Sequence, residues 1–283
     1  MPVETLIDVA ALRARLDDPS IRIFDCRFSL ADPSAGRKAY LAGHIPGARH
    51  ADIDEDLSGP RVPGVTGRHP LPARDRWIDR VEAWGLSPLL DVVAYDDSGG
   101  AFAARLWWML RSIGHSAVAV LDGGWRAWVS GGLPVTTAVP FDPPRSHTDY
   151  RRRRPLTRLV TADDIDARTQ VLLDARDPAR FRGEVEPIDP IAGHIPGARC
   201  AASSENLDER GFFKPREALR RRFDALLADA KGKDVVCYCG SGITAAHNIL
   251  ALRHAGFDEP LLYAGSWSEW INDPSRGIAT GDY

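Results

Sequence analysis

The sequence predicts an α/β protein built from two copies of one domain, each a mostly parallel sheet covered by helices on both faces. Short β-branched apolar runs, typical of buried strands, alternate along the chain with longer helical patterns. Strands that alternate with helices favour a parallel sheet with helices on both sides. Motifs of the first half recur in the same order in the second half, which indicates duplication.

Four ordered matches support the duplication. Residues 44–49 and 194–199 both read His-Ile-Pro-Gly-Ala-Arg, and the other pairs are 25–27 with 174–176, 92–95 with 235–238, and 124–128 with 266–270. The stretch between the two copies is rich in proline, which is typical of an extended linker. We therefore predict an N-terminal domain over 1–139, a linker over 140–155 and a C-terminal domain over 156–283.

In the first copy, the side chain of Asp8 is a predicted N-cap for a helix that runs to Leu16. The apolar run 21–24 predicts a strand. We also predict a helix over 72–84, with a proline at its start, where a missing N–H is tolerated. The remaining predicted elements of this copy are a strand over 92–95, a helix over 101–113 and a strand over 118–120.

The second copy follows the same pattern. Thr161 is a predicted helix N-cap. The other predicted elements are strands over 171–173, 235–238 and 261–263, and helices over 215–227 and 243–255. The arginine run 151–154 between the copies is interpreted as a solvated connector that packs against acidic surface, and a nucleic-acid patch is the alternative.

Composition excludes several classes of protein. A formal net charge of -3 provides no overall field that would attract nucleic acid or an anionic membrane. No stretch approaches the ~20 apolar residues of a membrane-spanning helix. The N-terminal residues 1–5 lack the basic and apolar regions of a secretory signal. We expect no nucleic-acid partner and no membrane association.

Cysteine usage indicates a reducing compartment. Four cysteines in a chain of 283 residues do not form a disulfide framework, so we expect a cytoplasmic protein. The sequence contains no His/Cys cluster with the spacing of zinc ligands, so we expect neither a metal nor a cofactor.

Cys239 lies where the strand over 235–238 ends and the helix over 243–255 begins. Gly240, Ser241 and Gly242 form a tight loop between the two elements. The N–H groups of such a loop converge on one point, and the helix N-terminus adds partial positive charge. Both effects favour a thiolate, so we interpret Cys239 as a reactive nucleophile. The alternative is a small apolar residue that caps a buried strand.

The two copies act as controls for each other, because shared residues serve the fold and chemistry belongs where the copies differ. His44 and His194 are shared, so we predict that they anchor turns rather than catalyse. The first copy carries Asp96 opposite Cys239 and cannot run thiol chemistry there. The nucleophile is therefore expected in the second copy.

A second difference between the copies is an arginine. Arg180 falls opposite Ala31, at the same sheet edge as Cys239. A guanidinium there suits bidentate binding of a carboxylate or a sulfonate. The alternative is a surface ion pair with Glu184 or Glu186.

Over nearly its whole length the chain resembles the tandem-domain rhodanese-like sulfurtransferases. The residues that carry the resemblance are the two His-Ile-Pro-Gly-Ala stretches, Asp-Gly-Gly-Trp at 122–125, Phe-Arg-Gly-Glu at 181–184 and the loop 239–244. The resemblance implies two tandem rhodanese-like domains. It also implies a persulfide on the cysteine of the C-terminal copy, and an inactive N-terminal copy that closes the cleft.

The loop sequence Cys-Gly-Ser-Gly-Ile-Thr is similar to that of the 3-mercaptopyruvate sulfurtransferases, whereas thiosulfate sulfurtransferases usually carry Arg-Lys after the cysteine. The resemblance implies a serine–histidine–aspartate relay that spans the two domains, which matches Ser241, His69 and Asp54. The implied donor-binding residues are Arg180, Gly240, Gly242, Ile243 and Thr244.

One position departs from the family pattern. A second substrate arginine generally follows Glu-Pro, but here Glu186-Pro187 is followed by Ile188. Either Arg182 or Arg199 then supplies the second cation, or the donor carboxylate is held more weakly.

The expected activity is a two-step sulfur relay through Cys239, from 3-mercaptopyruvate to a thiol, a thioredoxin-like protein or cyanide. The alternatives are a thiosulfate:cyanide sulfurtransferase and a non-catalytic, persulfide-carrying or binding module. A related phosphatase is disfavoured, because the position six after Cys239 is Ala245 rather than arginine. A redox role for Cys237 is left open.

Overall fold

The structure is a computed structural model that describes residues 5–141, 144, 146, 148–228, 230 and 233–282. The chain forms two compact units. The first comprises Met1–Gly59, Leu71–Leu156 and Glu209–Phe212, and the second comprises Pro60–Pro70, Thr157–Asp208 and Phe213–Tyr283. Residues 1–4, which belong to the segment without signal-sequence features, and residues 142, 143, 145 and 147 of the predicted linker lie outside the described residues. The predicted domain boundaries stay a prediction.

The first unit contains a parallel five-stranded sheet with the order β1-β5-β4-β2-β3. Its strands are β1 (Leu6–Ile7), β2 (Ile21–Asp25), β3 (Ala48–His50), β4 (Asp91–Tyr95) and β5 (Val118–Leu121). Its helices are α1 (Val9–Arg13), α2 (Ala35–Ala42), α3 (Arg74–Ala83), α4 (Ala103–Ser112) and α5 (Gly124–Ser130). The Asp8 side chain accepts the Ala11 N–H at 2.7 Å, which confirms the predicted N-cap.

The second unit repeats this topology with a parallel sheet of order β6-β10-β9-β7-β8. Its strands are β6 (Arg158–Val160), β7 (Gln170–Asp174), β8 (Arg199–Cys200), β9 (Asp234–Tyr238) and β10 (Leu261–Tyr263). Its helices are α6 (Pro178–Phe181), α7 (Arg216–Leu226), α8 (Thr244–His254) and α9 (Ser266–Trp270). The same strand order in both sheets confirms the predicted duplication and the α/β class.

The predicted helix after Thr161 is wrong in length. Only one 3₁₀ turn forms, over Ala162–Asp164, and the chain is extended again at Ile165. The Asp164 carboxylate accepts both the N–H and the hydroxyl of Thr161, at 2.8 and 2.7 Å. This reciprocal cap satisfies the turn by itself, and β7 starts only a few residues later, so a longer helix has no room.

The repeated Asp-x-Arg motif ties each sheet to the loops around it. In the first unit the guanidinium of Arg27 donates from Nε and Nη2 to the buried carboxylate of Asp25. It also donates to the Gly43 carbonyl at 2.6 Å and lies 4.3 Å from the Trp125 ring centroid. A buried arginine is tolerated because its charge is paired and its donors are used. The second unit repeats these contacts with Arg176, Asp174, Gly193 and Trp267.

The two shared histidines are structural. His44 is fully buried, its Nδ1 lies 2.8 Å from the Tyr40 carbonyl oxygen, and its ring stacks on that tyrosine. His194 makes the same contact with the carbonyl of Phe181 at 2.8 Å and stacks on its ring. The prediction that these histidines anchor turns is confirmed.

The arginine run also behaves as predicted. Arg151 binds the carboxylates of Asp75 and Asp79, on α3, at 2.6 and 2.7 Å, and Arg153 donates to the Gly114 carbonyl at 2.9 Å. These residues therefore cover acidic surface of the first unit. Within the described ranges, no helix has the length and apolar character needed to cross a membrane.

Candidate active site

The loop of Cys239 is held by hydrogen bonds to the start of α9. The Cys239 N–H donates to Ser266 Oγ at 3.1 Å, and its carbonyl accepts the Trp267 N–H at 2.9 Å. The Gly240 carbonyl accepts the Ser268 N–H at 2.9 Å. Ser266 has a φ of 56°, a strained value for a residue with a Cβ. The loop follows β9 directly and is hydrogen-bonded to the start of α9, and these two attachments fix its shape.

Gly242 gives the cysteine its hydrogen-bond donor. Its φ is +80°, and a Cβ there would lie 2.3 Å from the Ala264 carbonyl oxygen, so a side chain cannot be accommodated. The Gly242 N–H donates to Cys239 Sγ at 3.1 Å. This backbone donor lies on the sulfur of the predicted nucleophile, and Ile243 joins the loop to Thr244, the first residue of α8.

The corresponding loop of the first unit holds an anion of its own. The Asp96 carboxylate accepts the N–H groups of Ser98, Gly100, Phe102 and Ala103, each at 2.8 Å. Trp125 donates to the Asp96 carbonyl at 2.8 Å, as Trp267 does to that of Cys239. The two loops are built alike. The first gathers four backbone donors around a buried carboxylate, but burial is the larger effect and raises the pKa of Asp96.

The other cysteines differ from Cys239 in their surroundings. All four cysteines are free thiols. Burial raises the pKa of Cys26, Cys200 and Cys237, so each of these three is held as a thiol. Cys237 lies inside β9 and is fully buried, two residues from the loop.

Ser241 and His69 are brought together as predicted. The Ser241 hydroxyl and His69 Nδ1 lie 2.8 Å apart, and both residues are buried. His69 belongs to the segment Pro60–Pro70, which is part of the second unit. Asp54 belongs to the first unit, where its N–H binds the Asp52 carboxylate at 2.8 Å and burial raises the pKa of its carboxyl. Its part in a relay stays a prediction.

Arg180 is in an ion pair and also reaches the cysteine loop. Its guanidinium binds the Glu186 carboxylate at 2.7 Å and Asp189 Oδ2 at 3.3 Å, so the ion pair considered from the sequence forms with Glu186. A Cβ placed on Gly240 would lie 3.6 Å from Arg180 Nη2. The Arg180 side chain thus lies beside Gly240, the residue that follows Cys239.

The sequence analysis missed Arg68. Its guanidinium forms an ion pair with Asp189, and its Nη2 would lie 2.8 Å from a Cβ on Gly240. Its position next to His69 in the sequence was the available signal. Of the two arginines considered instead, Arg182 binds Glu184 at 2.7 Å and Arg199 donates to the Leu226 carbonyl at 2.5 Å.

Two buried carboxylates complete this cluster, and their electrostatics differ. Burial opposes ionisation of Glu186, but hydrogen bonds from Arg180 and from the backbone N–H groups of Asp189 and Ile188 outweigh it and lower its pKa. For Asp189 burial is the larger effect and raises the pKa, against the attraction of Arg68 and Arg180.

In the part of the chain that the structure describes, no three His, Cys, Asp or Glu side chains are grouped so that they could hold a metal ion.

Comparison with known proteins agrees with the site. Residues 8–131 and 159–273 each match the family described as "Rhodanese-like domain". A Pseudomonas aeruginosa protein named "Probable 3-mercaptopyruvate sulfurtransferase" is 50% identical over 282 residues, covering 98% of both chains. A Mycobacterium tuberculosis protein named "Putative thiosulfate sulfurtransferase SseB" is 40% identical over 288 residues, again covering 98% of both.

Solved structures give the same result. The 3-mercaptopyruvate sulfurtransferase from Leishmania major superposes with a TM-score of 0.84 at 34% identity, covering 96% of this chain and 75% of that one. The Escherichia coli protein SseA, described as a 3-mercaptopyruvate sulfotransferase, superposes with a TM-score of 0.77 at 30% identity. The match covers 94% of this chain and 100% of the SseA chain. The expected family is confirmed: the chain belongs to the rhodanese family and carries two rhodanese-like domains in tandem.

Proposed function

We propose that the protein is a sulfurtransferase that moves a sulfane sulfur from 3-mercaptopyruvate to a thiol or cyanide acceptor through a persulfide on Cys239. The observation that carries the proposal is the hydrogen bond from the Gly242 N–H to Cys239 Sγ at 3.1 Å. It places a backbone donor on the sulfur of the one copy that has a cysteine in this loop. The name of the relative at 50% identity and that of the structure at 34% identity support the same donor.

In the first step the Cys239 thiolate attacks the sulfur of 3-mercaptopyruvate. A sulfur–sulfur bond forms, the carbon–sulfur bond breaks, and its electron pair leaves as the enolate of pyruvate. A proton must reach that enolate carbon. Ser241 and His69, 2.8 Å apart, form a path along which such a proton can be delivered.

In the second step an acceptor thiolate or cyanide attacks the outer sulfur of the persulfide. The sulfur–sulfur bond breaks, and its electron pair returns to Cys239 as the thiolate. The product is a new persulfide or thiocyanate, and the enzyme is ready for another donor. Splitting the transfer in this way predicts ping-pong kinetics.

The remaining residues position the donor. Arg180 binds the donor carboxylate, since its guanidinium lies beside Gly240. The loop residues Gly240, Gly242, Ile243 and Thr244, which follow Cys239, complete the donor site. The N-terminal domain carries Asp96 in its loop and supplies no nucleophile.

The acceptor in the cell is a thiol, including one on a thioredoxin-like protein, and the compartment is the cytoplasm. Four free cysteines and a thiol nucleophile suit a reducing environment. Neither a metal nor a cofactor is needed for the two steps above.

Thiosulfate is the second candidate donor. The observation that favours it is the presence of two guanidinium groups, Arg68 and Arg180, beside Gly240. The name of the mycobacterial relative at 40% identity points the same way.

Steady-state sulfur transfer to cyanide, measured with each donor on the same enzyme, tests the proposal. A large preference for 3-mercaptopyruvate is the expected result. A preference for thiosulfate would move the assignment to a thiosulfate:cyanide sulfurtransferase. Activity with neither donor would indicate a persulfide-carrying or binding module.

A further inference from the structure

We infer that Arg68 is a second donor-binding cation of this site, and that Asp189, which pairs with both Arg68 and Arg180, favours singly charged carboxylate donors over doubly charged ones. The inference rests on the proposed function and names the charge class of its donor.

Two guanidinium groups converge on the first residue after the nucleophile. Measured from a Cβ placed on Gly240, the nearest atoms are Arg68 Nη2 at 2.8 Å and the two terminal nitrogens of Arg180 at 3.6 and 3.7 Å. An anionic group of a donor whose sulfur meets Cys239 therefore lies within reach of both arginines. Paired guanidinium forks are the groups that hold a small carboxylate most firmly.

Arg68 is fixed in place by the element that shapes the cysteine loop. The backbone N–H of Arg68 donates to Ser268 Oγ at 3.1 Å, and the backbone N–H of Ser268 donates to the Gly240 carbonyl. The preceding Gly67 packs so closely that a Cβ there would lie 2.5 Å from the Gly265 carbonyl oxygen. The arginine is thus held in register with the loop before any donor binds, which lowers the entropy cost of binding.

Among the described residues, one N–H group of the Arg68 guanidinium has no hydrogen-bond acceptor. One terminal nitrogen forms the ion pair with Asp189. Its Nε is buried and makes no hydrogen bond to any residue that the structure describes. A buried donor without a partner costs free energy, and a bound anion would remove that cost.

The segment that follows Glu186 carries an apolar residue, Ile188, and brings no second cation to the site. It follows Glu186-Pro187, and its apolar side chain is partly exposed. Only Arg180 contributes a positive charge to the loop from its own helix, α6. Arg68, from a distant part of the sequence, supplies the second charge within the same unit.

Asp189 limits how much negative charge the pair accepts. Its carboxylate binds Arg68 and also lies 3.3 Å from Arg180 Nη2, while Glu186 binds Arg180 at 2.7 Å. Arg176 also lies 3.4 Å from Glu186 and is paired with Asp174, so the cluster holds three arginines and three buried carboxylates and is formally neutral. Each further negative charge brought beside a buried carboxylate is unfavourable, so a donor with one charge is preferred over one with two.

The test has a readout that does not depend on sulfur transfer. The rates at which anionic iodoacetate and neutral iodoacetamide alkylate Cys239 are compared, with the site of alkylation located by peptide mass spectrometry. The iodoacetate-to-iodoacetamide rate ratio reports the attraction of a small carboxylate to this thiol. It is measured for the parent and for Arg68→Gln, Arg68→Lys, Asp189→Asn and the double variant Arg68→Gln/Asp189→Asn.

Arg68→Gln should lower the rate ratio by about tenfold, as expected for the loss of one charge-assisted contact. Arg68→Lys should keep part of the effect, since it keeps the charge but not the fork. The double variant removes both members of the buried pair, so it covers the case in which Arg68→Gln alone fails to fold. Its rate ratio should then be about tenfold lower than that of Asp189→Asn, which keeps Arg68. Arg168→Gln is the matched control, because Arg168 is exposed and pairs with Asp166, and its ratio should equal that of the parent.

Asp189→Asn should raise kcat/KM for thiosulfate relative to 3-mercaptopyruvate by about tenfold, the effect of removing one nearby negative charge. An unchanged alkylation ratio in both Arg68→Gln and the double variant would overturn the role of Arg68. An unchanged donor preference in Asp189→Asn would overturn the role of Asp189. If neither reagent alkylates Cys239 in the parent, no donor reaches the thiol and the inference fails.

These outcomes separate the inference from the proposed function. If the parent turns over 3-mercaptopyruvate but the Arg68 variants behave like Arg168→Gln, the function stands and the inference fails. If the alkylation ratios change as expected but no donor is turned over, the anion site stands and the sulfur-transfer proposal fails.

Discussion

Cys239 and Cys237 are two residues apart, but one lies in a loop and the other inside a strand. Cys239 Sγ accepts the Gly242 N–H, whereas Cys237 lies inside β9, where burial raises the pKa of its thiol. Replacing each by serine compares a nucleophile with a core thiol in the same segment. We expect Cys239→Ser to lower turnover to below about one thousandth of the parent value with the fold intact. Cys237→Ser should keep turnover near the parent level in the same cyanide assay, and equal losses in the two variants would contradict the assignment.

The hydroxyl of Ser241 and the ring of His69 form a second residue-level test. Because the 2.8 Å contact between them gives the path for the proton, Ser241→Ala and His69→Gln should each lower kcat by about 10²-fold. The double variant should lose little more than either single variant, since both changes break the same path. Fully multiplicative losses in steady-state kcat would show that the two residues act separately.

At the scale of elements, the loop between β9 and α8 depends on one glycine. Gly242→Ala places a methyl group 2.3 Å from the Ala264 carbonyl oxygen, so the loop must move and the donor to Cys239 is displaced. We expect kcat to fall by about 10²-fold or more, the size seen when one such donor is lost. Gly281→Ala is the matched control, because Gly281 also has a positive φ, +81°, but nothing lies within 4 Å of an added Cβ. Equal activity of the two variants would contradict the role of the loop.

His115 makes the first unit sensitive to acid. It is fully buried, 2.6 Å from the Tyr150 hydroxyl, and burial lowers its pKa from 6.5 to about 4. Between these values the unfolded chain binds the proton and the folded chain does not, so the free energy of unfolding decreases as pH falls from 6.5 to 4. The expected loss over this window is about 3 kcal/mol.

Urea unfolding followed by tryptophan fluorescence at several pH values measures this effect, since most of the eight tryptophans lie in the first unit. His115→Gln should flatten the dependence between pH 6.5 and 4, whatever its effect on stability at pH 7. An unchanged slope in that variant would assign the acid sensitivity to other groups.

Long, buried elements could be predicted from the sequence, and short edge elements could not. Strands β4 and β9 were recognised from their β-branched apolar runs, and they occupy the middle of their sheets. Strands β3 and β8 have three and two residues, too few to show a period of two. The helix expected after Thr161 failed for a similar reason, because a single capped turn carries the same start signal as a longer helix.

The candidate site was predictable where neighbours in sequence are also neighbours in space. Cys239, Ser241 and Gly242 follow one another, and the loop chemistry could be inferred from them directly. Arg68 contacts Asp189, which lies far along the chain, and no local sequence pattern predicts such a pair. The pairing of Arg180 with Glu186 was one of two outcomes that the sequence left open.

At the scale of the whole molecule, duplication has divided two tasks between copies of one loop. The first copy fills its loop with the Asp96 carboxylate, which is satisfied by four backbone N–H groups and fully buried. The second copy places a cysteine there and leaves the loop donors to a sulfur that can react. The first loop thus binds its own carboxylate, and in the second loop the Gly242 N–H donates to the sulfur of the proposed nucleophile.

The division predicts that Asp96 supports folding. Asp96→Ala leaves backbone donors of a buried loop without an acceptor, so it should lower the free energy of unfolding by about 2–4 kcal/mol. Folded Asp96→Ala protein should keep the donor preference of the parent, because the nucleophile lies in the other copy. The measurements are denaturant unfolding and the ratio of kcat/KM for the two donors, and a changed ratio would give Asp96 a part in the chemistry.

The most direct test of the central claim is the intact mass of the protein after reaction with 3-mercaptopyruvate in the absence of any acceptor. The account predicts that the parent protein gains one sulfur atom, that cyanide removes it, and that Cys239→Ser gains none. A parent protein that never gains sulfur, or a Cys239→Ser variant that still gains it, would contradict a persulfide on Cys239.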